Sequence, residues 1–323
     1  MEQLQAQDVA KRIIDSVKKV IIGKDWAIEL AVTALLSQGH ILIKDIPGVG
    51  KTMLGRSLAQ SMNCMFKRIQ LTPDMLPSDI TGVSVFNQQT GEFVFRPGPI
   101  LGQIVLADEI NRASPKTQSA LLEALAERQV TVDGITHNIP RPFMLIATEN
   151  PIEHEGVFPL PEAQLDRFMM RIQLGYPSFE NEISIIDSQR IQHPIESLGV
   201  VAGADEVREA QEAVKGIFVH HQVERYIVAL VHATRKHSDA ILGASPRASL
   251  DLFRSCQALA LLRGRDYVMP DDVKELAAVA MGHRVIVTNA ARMNGVDGRQ
   301  IVEDVLEHVA VPAARSSGWL ARR

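Results

Sequence analysis

The chain has 323 residues, 46% apolar and 22% charged; these values are near globular averages, so intrinsic disorder and a fibrous repeat are excluded and two domains with separate cores are allowed. Lys plus Arg number 34 against 38 Asp plus Glu, a net charge of −4 that offers no basic excess to draw nucleic acid. The two cysteines, Cys64 and Cys256, have no partner spacing, so neither a disulfide framework nor a zinc ribbon is supported, and a reducing compartment is expected.

From Met1 to Lys19 charged and apolar residues alternate without the uninterrupted apolar run of a secretory signal. No later run approaches the roughly 18 apolar residues of a spanning helix, and a cytoplasmic location is expected. Short apolar or β-branched runs then recur at residues 40–44, 66–71, 103–107, 143–148 and 170–174, with helical patterns between them, as in a parallel α/β sheet. Leu54, Leu58 and Met62, and again Leu121, Leu122 and Leu125, mark the apolar stripes of crossover helices. Residues 83–95 and 130–139 instead alternate around Gln89-Thr90-Gly91-Glu92 and Asp133-Gly134. Each reads as an inserted β-hairpin, decorative or partner-contacting. After Tyr176-Pro177-Ser178 the pattern turns helical at 180–190, 205–214, 222–236, 248–262 and 271–281. Residues 1–178 therefore form the α/β domain and 179–323 a smaller helical one, with the tail 313–323 expected to fray.

Directly after the first strand stands Asp45-Ile46-Pro47-Gly48-Val49-Gly50-Lys51-Thr52, followed by Met53 and the helix stripe. In a strand-loop-helix setting this is a phosphate loop. Its glycines let backbone N–H groups face phosphates, Lys51 adds charge, and Thr52 offers a hydroxyl to Mg2+. The strict pattern begins with Gly, and Asp45 takes that place. Further on, Ile104-Val105-Leu106-Ala107 ends in Asp108-Glu109, two carboxylates at the carboxyl end of a buried strand, where α/β sheets bind ligands. Asp108 suits holding Mg2+ through its water shell, and Glu109 suits polarising an attacking water. The fourth strand ends Thr148-Glu149-Asn150-Pro151, so Asn150 either bonds a phosphate or water or simply starts a turn. Arg167 either delivers charge to a phosphate or pairs with a surface acid such as Asp166. Arg247 opens a helix after Ser245-Pro246, a place disfavoured by the dipole unless an anion lies nearby. The ten histidines show no metal-ligand spacing, the cysteines read as buried free thiols, and Lys116 and Arg128 as helix-face charges.

The order of these motifs resembles the AAA+ ATPases, and closely the MoxR family in the branch with a helix-two insert and a hairpin before sensor 1. The marks are the Asp45 to Thr52 loop, Ile104 to Glu109, the continuation Ile110-Asn111-Arg112-Ala113-Ser114-Pro115-Lys116-Thr117-Gln118, and Gly243-Ala244-Ser245-Pro246-Arg247. The resemblance implies a five-stranded parallel sheet carrying two hairpin inserts, then an all-α lid. It implies ATP and Mg2+, with Ile22-Gly23 on the adenine side and Pro47 to Met53 with Asp108 around the nucleotide. Asn150 is then sensor 1, Arg167 an arginine finger acting on a neighbouring subunit, and Arg247 sensor 2. A finger acting between chains implies a ring, a hexamer by analogy. Relatives of this type remodel, mature or assist metal insertion into protein clients, often with a von Willebrand factor A domain protein. A nucleic-acid translocase is the first competing reading, but the two hairpin stretches contain no Lys, where DNA-tracking loops need positive charge. A chelatase-type ATPase subunit is the second, and a regulatory ATP binder that hardly turns over is the third.

Overall fold

Helix α1 (Gln3–Lys18) buries Ala6, Val9, Ala10, Ile13 and Val17, a stripe at three- and four-residue spacing. Helix α2 (Asp25–Leu36) is apolar nearly all round and is buried almost throughout its last three turns. The structure, a computed structural model, describes residues 1–151 and 156–312, divided into one unit over Met1–Lys215 and a second from Gly216 onward. The tail 313–323, expected to fray, lies outside the described residues.

In the first unit the chain continues through β1 (Ile41–Lys44), α3 (Lys51–Ser61), β2 (Phe66–Gln70), the short α4 (Pro77–Thr81), β3 (Gly82–Asn87), β4 (Glu92–Pro97) and β5 (Ile104–Asp108). Then come α5 (Pro115–Glu127), β6 (Gln129–Val132), β7 (Ile135–Asn138), β8 (Met144–Glu149), α6 (Glu162–Leu165), β9 (Met170–Ile172), α7 (Phe179–Ser188) and α8 (Ala204–Val214). Five strands form one parallel sheet in the order β2-β5-β8-β1-β9, so the chain starts near one side, crosses to the far edge and returns. Strands β5 and β8 are buried along their length apart from the last residue, as parallel strands covered on both faces must be. Gly55 lets α3 lie close to the sheet: a Cβ there would stand 3.3 Å from Ile146 Cδ1 and Phe66 Cε2. Helix α5 starts at the Ser114 N-cap with Pro115 at its first position, and buries Leu121, Leu122 and Leu125.

The two expected hairpins are present. In β3–β4, Phe86 pairs across the strands with Phe93, and their ring centroids lie 5.3 Å apart. In β6–β7 the turn is Asp133-Gly134, both at positive φ. Phe95 of β4 stacks on His137 of β7 at 3.8 Å, tying the hairpins together.

The change of pattern at 176–178 and the division by packing do not coincide. Helix α8 buries Val207, Ala210 and Val214 and packs on α1, where Arg12 pairs with Glu206 at 3.2 Å. Gln211 donates to the Leu35 carbonyl of α2 at 2.7 Å, so residues 179–215 pack with the sheet-bearing unit. Two smaller readings also change. Arg128 ends α5 at φ 53° and donates to the Gln38 side chain and carbonyl, which makes it a tether rather than a helix-face charge. Cys64 is half-buried, with its thiol pushed up to about 11 by desolvation, whereas Cys256 is fully buried.

The second unit contains α9 (His221–Thr234), β10 (Ala240–Leu242), α10 (Pro246–Leu262), α11 (Pro270–Met281), β11 (Ile286–Val287), α12 (Asn289–Met293) and α13 (Gly298–His308). It is helical apart from an antiparallel ribbon of β10 and β11, which helical periodicity does not announce. Asp272 is buried, accepts the forked guanidinium of Arg265 at 2.6 and 2.8 Å, and caps α11 through the Met269 N–H.

Candidate nucleotide site

The site is assembled at the carboxyl edge of the parallel sheet. The register sets Gln70 beside Asp108, Ile43 beside Thr148 and Lys44 beside Glu149, so the ends of β2, β5, β8 and β1 present their polar residues in one row. From β1 the chain enters the phosphate loop, whose Gly48 and Gly50 adopt φ of 84° and 94°. A Cβ on Gly48 would meet nothing within 4 Å, so the loop surrounds open space at its tip. Helix α3 begins at Lys51, and the N–H groups of Lys51, Thr52 and Met53 in its first turn have no partner within the helix. These donors, the positive end of the helix and the Lys51 ammonium fit the phosphates of a nucleotide.

Lys51 Nζ donates to the Asp45 carbonyl at 2.7 Å. Burial lowers the lysine's pKa, while Asp108, Asp45 and Glu109 act the other way and favour its charge. Lys51 thus lies within the field of both Asp108 and Glu109. Asp45, in the place of the usual glycine, is buried, and its carboxylate accepts the N–H groups of Ile46, Leu174 and Gly175.

Asp108 and Glu109 share one anchor. Thr148, fully buried on β8, donates its hydroxyl to Asp108 Oδ1 at 2.6 Å and accepts the Glu109 N–H at 2.9 Å. Glu109 leaves the strand at φ 56°, an uncommon conformation costing about 1 kcal/mol or more for a residue with a Cβ. Its Oε2 accepts from Gln70 Nε2 at 2.8 Å and from Arg112 at 3.4 Å. Asp108 Oδ2 takes both Nε and Nη2 of Arg68, at 3.2 and 2.8 Å. Arg68 and Gln70 are thus parts of the site that motif reading missed. The signal was present in β2, since residues two apart on a strand share a face and Gln70 is its final residue.

Asn150 is buried directly beyond β8, at the same edge as Asp108 and Glu109. Ile22 and Gly23 lie in the α1–α2 linker; the adjacent Ile21 is buried, and its Cδ1 stands 3.6 Å from where a Cβ of Gly50 would be, which puts the linker against the phosphate loop. Gly23 itself has φ 72°. Arg167 is not drawn into this cluster: its guanidinium donates to the Leu122 carbonyl of α5. Arg247 belongs to the second unit, in the first turn of α10, where its N–H is capped by Ser245 Oγ at 3.1 Å. No cluster of three His, Cys, Asp or Glu side chains able to hold a metal occurs among the described residues. A Mg2+ bound here would depend on Thr52, Asp108 and the nucleotide's own oxygens. No helix among the described residues is long and apolar enough to cross a membrane.

Comparison with known proteins agrees with this geometry. The family described as ATPase family associated with various cellular activities (AAA) matches residues 40–170, and the AAA lid domain matches 232–305. The chain is 48% identical to the uncharacterized protein YeaC of Bacillus subtilis, over 95% of this chain and 96% of that one. It is 43% identical to Chaperone MoxR1 of Mycobacterium tuberculosis, over 94% of this chain and 82% of the relative. A crystal structure from Cytophaga hutchinsonii, assigned as an ATPase, superposes with a TM-score of 0.90 at 38% identity, covering 96% of this chain and 97% of the other. The parallel sheet, the phosphate loop, the paired carboxylates and these relatives together make the chain a member of the MoxR family of AAA+ ATPases.

Proposed function

We propose that the protein hydrolyses ATP with Mg2+ and uses the cycle, as a hexameric ring in the cytoplasm, to remodel or mature protein clients. The observation that carries this reading is the Thr148 anchor, which holds Asp108 and Glu109 side by side within the field of Lys51. In this reading the N–H groups of Gly48 to Met53 and Lys51 hold the β- and γ-phosphates, and Thr52 and Asp108 hold Mg2+. The metal supplies neutralisation of charge on the phosphate oxygens. Glu109 accepts a proton from the attacking water, a role that requires its Oε2 to leave Gln70. Asn150 orients that water or the γ-phosphate. Ile22 and Gly23 flank the base, and Arg247 acts as sensor 2.

Arg167 is read as completing the site of a neighbouring subunit, so that each site needs two chains. Its bond to Leu122 in its own chain is a resting partner that it exchanges for a phosphate oxygen. Exposed apolar side chains on the β3–β4 hairpin, Phe86 and Phe93 among them, favour protein rather than nucleic acid as the client. A separate von Willebrand factor A domain protein is the partner we expect, and metal insertion is one form the maturation can take.

The ring is tested by mixing variants. Arg167→Ala alone is expected to lower turnover about 10³-fold with ATP affinity nearly unchanged. Mixed with Glu109→Gln subunits, it should recover measurable turnover, because mixed rings contain sites with both Glu109 and a neighbour's Arg167. No recovery at any ratio would overturn a shared site.

A further inference from the structure

We propose that Asp45 is a positioning residue that locks the phosphate loop to the segment leaving β9, so that the two respond to nucleotide together. The inference rests on the loop being a nucleotide site. Asp45 stands where the strict motif has glycine, and it is 7% exposed. Its Oδ2 accepts the N–H groups of both Leu174 and Gly175 at 2.6 Å, and its Oδ1 accepts the Ile46 N–H at 2.9 Å. Its main chain reaches two further parts of the site, since its carbonyl accepts Lys51 Nζ at 2.7 Å and its N–H donates to Glu149 at 3.1 Å. One residue therefore joins the end of β8, the loop lysine and the β9 exit. A glycine at 45 would leave two N–H donors at the β9 exit without their acceptor, which interiors rarely tolerate.

The β9 exit is fixed at a second place. The Tyr176 carbonyl accepts Lys24 Nζ at 2.7 Å, and Asn181 in α7 packs on Gly23, where a Cβ would come within 2.0 Å of its Nδ2. Residues 174–181 are thus tied to the phosphate loop through Asp45 and to the α1–α2 linker through Lys24 and Gly23. Gly175, at φ 64°, provides the turn between the two ties. Any shift of the loop around phosphates is passed to residues 174 and 175 by the carboxylate that grips their N–H groups.

The test is backbone hydrogen exchange on the full chain, with and without ATP and Mg2+, for the wild type, Asp45→Asn and Asp45→Gly, alongside ATP affinity and turnover. In the wild type, nucleotide is expected to slow exchange about tenfold at both 46–53 and 174–175. Asp45→Gly should keep protection at 46–53 and ATP affinity within about threefold, lose the response at 174–175, and show about tenfold lower kcat with KM little changed. Asp45→Asn, whose neutral amide has one acceptor oxygen for the three N–H groups that the two carboxylate oxygens accept, grips them more weakly and should fall between them. It carries the test if the glycine variant does not fold. A full wild-type response at 174–175 in either folded variant would overturn the proposal. A wild-type response at 46–53 without one at 174–175 would refute the coupling alone, and no response at either place would refute the nucleotide site itself.

Discussion

At the carboxyl edge of the sheet, Thr148 is fully buried and bonded to both Asp108 and Glu109, whereas on the β3–β4 hairpin Phe93 is 73% exposed and meets Phe86 across the strand pair. The first region is defined by polar groups whose partners are fixed. Thr148 and Arg68 fix the two oxygens of Asp108, Gln70 holds Oε2 of Glu109, and Asp45 ties the loop to the β9 exit. The second is defined by apolar surface left in water, with Val83, Val85 and Val94 exposed besides Phe86 and Phe93. A largely preset polar site suits one chemistry performed repeatedly, because most donors and acceptors are already aimed and the rearrangement is confined to the release of Glu109 Oε2 from Gln70. An exposed apolar hairpin suits variable partners, because apolar contact is non-directional.

That contrast can be broken at either end. Of three substitutions across these regions, the largest effect on nucleotide binding is expected from Lys51→Ala, which removes the charge facing the phosphates. ATP affinity should fall about a hundredfold, corresponding to a charge-assisted contact of about 3 kcal/mol. Calorimetric titration would show it, and wild-type affinity would sink the loop assignment. A smaller change is expected from Gln70→Ala, which frees Glu109 Oε2 from its amide partner. Basal phosphate release should rise about threefold if that bond restrains the base, the release of part of a hydrogen bond worth about 1 kcal/mol. A fall would instead make Gln70 an orienting group. The smallest effect on turnover is expected from Phe93→Ser on the hairpin. Basal ATPase and melting temperature should stay near wild type, while protein recovered with the tagged chain from nuclease-treated lysate falls; unchanged recovery would remove the hairpin from client contact.

Much of the fold was legible in sequence because it depends on periodicity. The β-branched runs gave the five sheet strands to within a residue or two, and the alternation around Asp133-Gly134 gave a hairpin. Legibility failed where contacts link distant segments. The break in pattern near Ser178 says nothing about packing, yet α8 buries its apolar stripe in the first unit and is tied there by Arg12. The same limit applied at the site. Motif spacing pointed to Lys51, Asp108, Glu109 and Asn150 as candidates, since each lies in a short contiguous stretch, and the fold places Asp108, Glu109 and Asn150 at one sheet edge. Gln70 and Arg68 were missed because their role exists only once β2 lies beside β5. Asp45 was visible only as a departure from the glycine pattern; its partners, Leu174 and Gly175, lie about 130 residues away.

Hydrolysis at this site depends most on Glu109 as the group proposed to activate water while the loop holds the nucleotide. The most direct measurement compares the wild type and Glu109→Gln for ATP affinity and for phosphate release in the same preparation. Nearly equal affinity is expected, with a loss of release of about 10²- to 10⁴-fold, the range for removal of a general base. Unchanged release in Glu109→Gln would contradict it.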